Sequence, residues 1–88
     1  MLPDPQTVDL DSLRVGFAQR MTEVVSDAGN LEKFFRVTRK STGKVSEWSN
    51  EAHTNWPEMR SFLEMVVRAN ISPSWLLLGR GPKRLSDL

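Results

Sequence analysis

The run from Ile71 to Pro82 constrains this chain more tightly than any other stretch, because its punctuation allows one short helix and nothing longer. Ser72 is a helix-capping residue, Pro73 suits the first helical position, Trp75 to Leu78 are apolar, and Gly79 halts the helix before Gly81 and Pro82. A helix this short reads as the closing piece of a very small helical domain. The 88 residues provide for one modest core and leave none for a second lobe around a buried active site, which argues against an elaborate enzyme.

The chain has no cysteine. Disulfide staples, thiolate metal sites and cysteine nucleophiles are therefore excluded, and apolar packing must hold the fold, as suits a reducing cytosol. Met1 to Gln6 are acidic and broken by Pro3 and Pro5, where a secretory signal needs a basic segment followed by an apolar one. The longest uninterrupted apolar run, Trp75 to Leu78, is four residues, far short of the roughly 20 that span a bilayer. A cytoplasmic protein with no membrane partner is the expectation. His53 is the sole histidine; it lacks the partners of a metal site and reads as a loop residue. Pairing Ser46 or Ser49 with His53 as nucleophile and base needs an orienting group and an oxyanion site that this sequence does not offer. No catalytic residue, cofactor, metal or small-molecule substrate is expected.

Helical spacing runs through the chain. Leu13, Phe17, Met21, Val24 and Val25 predict a first helix over about 11–26, capped by Asp9 or Asp11, with those five inward and Arg14, Arg20 and Glu23 outward. Ser26 to Asn30 is a turn that also caps a second helix from about Leu31, whose buried face is Leu31, Phe34, Phe35 and Thr38. A turn at Lys40 to Gly43 leads to a third helix over about 42–50, in which Val45 and Trp48 share one face. After a loop over Ala52 to Trp56, Pro57 stands at the first position of a fourth helix carrying Met59, Phe62, Leu63, Val66, Val67 and Ala69. The expectation is an all-α domain of five helices over 11–80, between an N-terminal arm over 1–10 and a basic C-terminal tail over 81–88. Trp48 and Trp75 are assigned to the core, Met21, Met59 and Met65 to packing, and Trp56 to a partly exposed position suited to a dimer contact.

Net charge is only +1, so its distribution matters more than its total: residues 1–30 carry −3, 31–44 carry +4, 45–70 carry −2 and 71–88 carry +2. Contact with a polyanion is expected at residues 33–44, with the tail as a second point. Two short helices joined by a tight turn, the second polar outside and anchored inside, present a helix to the DNA major groove, about 12 Å wide. Residues 31–50 follow that layout.

The order Ser72-Pro73-x-Trp75-Leu76-Leu77-x-Gly79-x-Gly81-Pro82 resembles the end of the helix-turn-helix domain of small phage-type, lambda-repressor-like transcriptional regulators. Val45 and Trp48 match the two buried positions of that family's recognition helix, and the order of five helices matches as well. The resemblance covers roughly Leu13 to Pro82. It implies a compact lambda-repressor-like fold and a sequence-specific regulator, a phage-type repressor that binds a palindromic operator in double-stranded DNA as a homodimer, with half-sites about 34–36 Å apart. In that register Phe35 stands where the family has a small residue and Arg39 where it has the turn glycine, so a rebuilt turn is expected, with Gly43 absorbing the strain.

The DNA-facing positions that the resemblance implies are Ser41, Thr42, Lys44, Ser46, Glu47 and Asn50. By their chemistry, Asn50 suits adenine, Glu47 accepts from cytosine, and Lys44 reaches guanine or phosphate, each good bidentate base contact being worth about 1–3 kcal/mol of discrimination. Phosphate contacts fall to Lys33, Arg36, Arg39 and Lys40. Three or four neutralised phosphates give log affinity against log salt a slope of about −3 per chain. Two other readings stay open: a protein-interaction module that keeps the shape without reading bases, and a non-specific DNA-binding or packaging factor.

Overall fold

The computed structural model describes residues 9–88, so the arm expected over 1–10 lies, except for its last two residues, outside the described residues. Five helices follow in order: α1 (Leu10–Ala28), α2 (Leu31–Thr38), α3 (Thr42–Trp48), α4 (Met59–Arg68) and α5 (Pro73–Leu78). A single 3-10 turn, Leu85–Asp87, comes after them. No strand forms among the described residues beyond one antiparallel bridge between Ile71 and Arg84. No described helix is long and apolar enough to cross a membrane.

Local chemistry sets most of the boundaries. Asp9 caps α1, its carboxylate accepting from the Asp11 amide and the Ser12 hydroxyl, and these bonds hold its pKa below the usual carboxylate value. Asn30 caps α2 by accepting from the Lys33 amide, and Ser41 caps α3 by accepting from the Lys44 amide. Pro73 opens α5 and Gly79, at φ 71°, closes it. Ser72 occupies the cap position of α5, but its buried hydroxyl pairs with the Ser74 hydroxyl instead of capping. Pro57 falls before α4, not at its first position; the helix starts at Met59 behind Glu58.

The core sits where α1 crosses the other helices. Phe17, Met21 and Val24 of α1 pack with Phe34 of α2, Val45 and Trp48 of α3, Phe62, Met65 and Val66 of α4, and Ile71 and Leu76 around α5. Each such side chain contributes about 1.5–3 kcal/mol through removal from water. Phe17 is the hub, its ring 5.4 Å from that of Trp56 and 6.4 Å from that of Phe62.

Several inward and outward assignments are corrected. Arg14 and Arg20, expected in water, turn inward: Arg14 is fully buried, and Arg20 donates to the Leu76 and Leu77 carbonyls at the end of α5. Burial lowers the Arg20 pKa. Arginine has an apolar stem that covers core residues and a fork of donors that satisfies the carbonyls a helix leaves open at its C-terminus. Phe35, expected inside, is exposed, and so are Met59, Leu63 and Val67 of α4. Of Trp75 to Leu78 only Leu76 is fully buried, because four successive helical positions circle the axis and only one side of α5 meets the core.

The basic tail is docked, not loose. Lys83 pairs with Glu23 and Asp27 of α1 and sits 5.1 Å over the Trp75 ring. Ser72 donates its amide to the Lys83 carbonyl, while Asn70 takes the amides of Leu85 and Ser86 on its carbonyl and side-chain oxygens.

Candidate nucleic-acid interface

The most basic stretch of the sequence is folded into α2, a three-residue turn and α3. Thr38, fully buried, locks the end of α2: its hydroxyl donates to the Phe34 carbonyl at 2.8 Å and accepts from the Lys40 amide at 3.2 Å. The chain then reverses at Arg39, which takes the left-handed conformation, φ 61° and ψ 21°, and donates its amide to the Phe35 carbonyl at 2.7 Å. A side chain here costs about 1 kcal/mol relative to glycine. Gly43 absorbs none of that strain, contrary to expectation. It lies in the first turn of α3 with no positive φ.

α3 has seven residues, too few to hold a helix in water without help. Val45 and Trp48 anchor its inner side. Its far end is held by Arg14, which donates to the Glu47 carbonyl at 3.1 Å, the Trp48 carbonyl at 3.1 Å and the Asn55 carbonyl at 2.6 Å. One guanidinium thus ties α1 to the last turn of α3 and to the loop beyond it, with its carbon 5.3 Å from the Phe17 ring centroid and 6.0 Å from that of Trp56. Burial lowers the Arg14 pKa, and the Glu47 carboxylate opposes that shift. The arginine remains charged at neutral pH, and a cation at a helix C-terminus also meets the negative end of the helix dipole.

With Val45 and Trp48 inward, the opposite side of α3 is formed by Gly43, Ser46 and Glu47, flanked by Thr42 and Lys44. Thr42, Lys44 and Ser46 are exposed, and Glu47 is half-buried with a carboxylate oxygen 3.8 Å from His53 Nδ1. Ser46 borders a groove of about 250 Å³ with Thr22, Val25, Leu31 and Ser49. Lys44 and Glu47 border a groove of about 370 Å³ on the other flank, against Asn55 to Glu58 and Ser61. Ser41 is exposed, its oxygen engaged in the cap.

Asn50 lies beyond the end of α3. Its side-chain oxygen accepts from the Ala52 amide at 2.9 Å, so the two-bond pairing with adenine expected of it would first have to break this turn.

The cations divide into two groups. Lys33, Arg39 and Lys44 are exposed and make no ion pair among the described residues, and Arg36 pairs only with Glu32 on the open surface at 2.8 Å. Such a surface pair is worth little and exchanges readily. Lys40 is corrected: its side chain is only 12% exposed, and its ammonium donates to Ser61 Oγ at 3.1 Å and Glu64 Oε1 at 2.9 Å. It braces the turn against α4 and is not a free phosphate clamp. That hydrogen bond and charge hold the Glu64 pKa below the usual carboxylate value. Lys83 and Arg84, counted toward a second polyanion contact, instead face Asp27, with Glu23 also on Lys83.

Two contributors escaped the sequence reading. Gly43 leaves the middle of the outer face of α3 without a side chain, since a Cβ there would meet nothing within 4 Å, and this lets a ligand approach the helix backbone. Arg14 positions the whole helix. Its one sequence signal was its helical spacing with Phe17, Ala18 and Met21, which places an arginine at the edge of an apolar face.

Comparison with known protein families, curated proteins and solved structures finds no match to this chain.

Proposed function

We propose that the chain is a sequence-specific DNA-binding regulator of the helix-turn-helix, lambda-repressor-like kind, acting as a phage-type repressor that lays α3 in the major groove. The observation that carries this reading is the outer face of α3: small and polar, open at Gly43, anchored behind by Val45, Trp48 and Arg14, and flanked by the unpaired cations Arg39 in the preceding turn and Lys44 on the helix itself. A helix about 10–12 Å across fills a groove about 12 Å wide. The left-handed backbone at Arg39 supports the same reading, because it is the conformation for which that family uses its turn glycine.

Lys33, Arg36 and Arg39 hold phosphates and set register, while Thr42, Lys44, Ser46 and Glu47 meet base edges. With Lys40 committed to Glu64, three cations per chain remain for phosphates, and the slope of log affinity against log salt is about −3. Selection of bound sequences from a random duplex pool tests the proposal. An enriched inverted repeat with half-sites about 34 Å apart supports it; retention without enrichment points to a non-specific DNA-binding factor.

One observation favours a second reading. Phe35 and Val37, on opposite flanks of α2, are 38% and 49% exposed, apolar surface on either side of Arg36 that suits a protein partner better than a phosphate backbone. No retention of any duplex at low salt would leave that interaction module as the better account.

A further inference from the structure

Between the end of α1, α2 and the docked tail lies a cleft of about 190 Å³. Its floor belongs to the core: Val24, Phe34 and Ile71 line it and are almost fully buried. Two of its wall positions, Ala28 at the end of α1 and Ala69 just after α4, carry only a methyl group. Val37 also lines it and is half exposed, so the cleft opens to water.

One polar group at the rim is left unsatisfied. Arg84 lines the cleft, and among the described residues its guanidinium donates no hydrogen bond; its one ion pair there is a loose contact with Asp27 at 3.8 Å. The same Asp27 oxygen is already held by Lys83, which also takes Glu23. The Arg84 backbone is nonetheless fixed. It bridges to Ile71, and its neighbours bond to the segment before α5, Lys83 accepting from the Ser72 amide and Leu85 donating to the Asn70 carbonyl. The tail therefore holds an open fork of donors in a set place beside an apolar cavity.

We propose that this cleft binds a small monocarboxylic acid whose apolar body is about one six-membered ring, with the carboxylate on Arg84 and the ring against Val24, Phe34 and Ile71. The planar fork of arginine matches a carboxylate through two parallel bonds. An enclosed apolar cavity of about 150 Å³ takes up benzene, so 190 Å³ with one open side holds a ring and a one-carbon arm. An acid without the ring leaves the apolar floor wet, and a ring without the acid leaves the Arg84 donors unpaired, so the site selects for the combination. A ligand of about ten heavy atoms reaches a dissociation constant on the order of 1 mM in such a site. Through Phe34 and Val37 the ring touches α2, and any bearing on duplex binding rests on the DNA-binding reading; binding of the acid does not.

Phenylacetate is the probe, and phenylacetamide is its neutral control. Titrated into the full chain at constant ionic strength, phenylacetate should shift the amide resonances of Ala28, Val37, Ala69 and Ile71 saturably, and should bind about tenfold more tightly than the amide. Arg84→Met keeps an apolar lining and removes the donors; it should bring the acid down to the affinity of the amide and leave the amide where it was. Ala28→Leu fills the cleft and should abolish binding of both, with a circular dichroism melt no lower than that of the wild type. No saturable shift up to about 20 mM phenylacetate, equal affinity for acid and amide in the wild type, or binding that survives Ala28→Leu overturns the proposal. None of these results touches the DNA-binding reading, which selection from duplexes decides.

Discussion

Replacing Arg14 with methionine removes the one side chain that ties α1, the end of α3 and the 55–58 loop together. Methionine keeps most of the apolar stem and loses the donors. Three carbonyls, on Glu47, Trp48 and Asn55, then lack the partner they have at 3.1, 3.1 and 2.6 Å. A typical intramolecular hydrogen bond contributes about 1 kcal/mol net, so three lost together cost about 3 kcal/mol. Relief of the arginine's desolvation, visible in its lowered pKa, offsets part of that cost. Stranding of carbonyls that water reaches poorly adds to it.

For a domain of this size each kcal/mol moves the melting temperature by about 4–8 °C, so Arg14→Met should melt roughly 12–24 °C below the wild type by circular dichroism. Hydrogen exchange should show the amides of the last turn of α3 losing protection before those of α1. Arg14→Lys should fall between the two, because an ammonium keeps the charge but cannot reach three divergent oxygens. A methionine variant melting within about 2 °C of the wild type would refute the view that Arg14 holds α3 in place.

Arg39→Gly should raise stability by about 1 kcal/mol in urea titration, because glycine adopts φ 61° without strain; duplex binding should weaken at the same time through loss of a phosphate contact. Lys40→Met should leave the salt slope unchanged, since its ammonium is held by Ser61 and Glu64. The same change frees Glu64. A carboxylate with a lowered folded pKa contributes stability above its ordinary value of about 4.3 and loses it as pH falls through the lowered one, so the acid-side decline should flatten in this variant. Lys83 has a raised pKa, caused first by its bond to Asp27 and then by that to Glu23. Its contribution is therefore intact below about pH 10.4, is lost as pH rises through the raised value, and should vanish from the alkaline limb of the stability profile of Lys83→Met.

The helices were legible because their signals act over a few residues. Asp9, Asn30 and Ser41 cap through amides two or three positions on, and Gly79 stops α5 by its own backbone freedom. α2 begins at Leu31 as its spacing predicts, and α3 covers most of the stretch assigned to it. The α4 boundary misled because Pro57 suits a first helical position without requiring one. Of the candidate interface, Lys33, Arg36, Arg39, Thr42, Lys44 and Ser46 are exposed, whereas Lys40 and Asn50 are already bonded to groups of the chain itself.

What the sequence by itself determined is an all-helical chain, the approximate limits of its helices and the concentration of positive charge between Lys33 and Lys44. These follow from caps, period and composition, all of short range. Tertiary structure alone decided which way the long polar side chains turn. Arg14 meets carbonyls 33 to 41 positions away, and Arg20 meets them 56 and 57 positions away. Lys40 finds Glu64 at 24 positions, and Lys83 closes the docked tail back onto Glu23 and Asp27 of α1. A flexible cation satisfies helical periodicity equally well in water or against a distant helix end, and only the packed fold, by bringing open carbonyls and carboxylates within its reach, chooses between them.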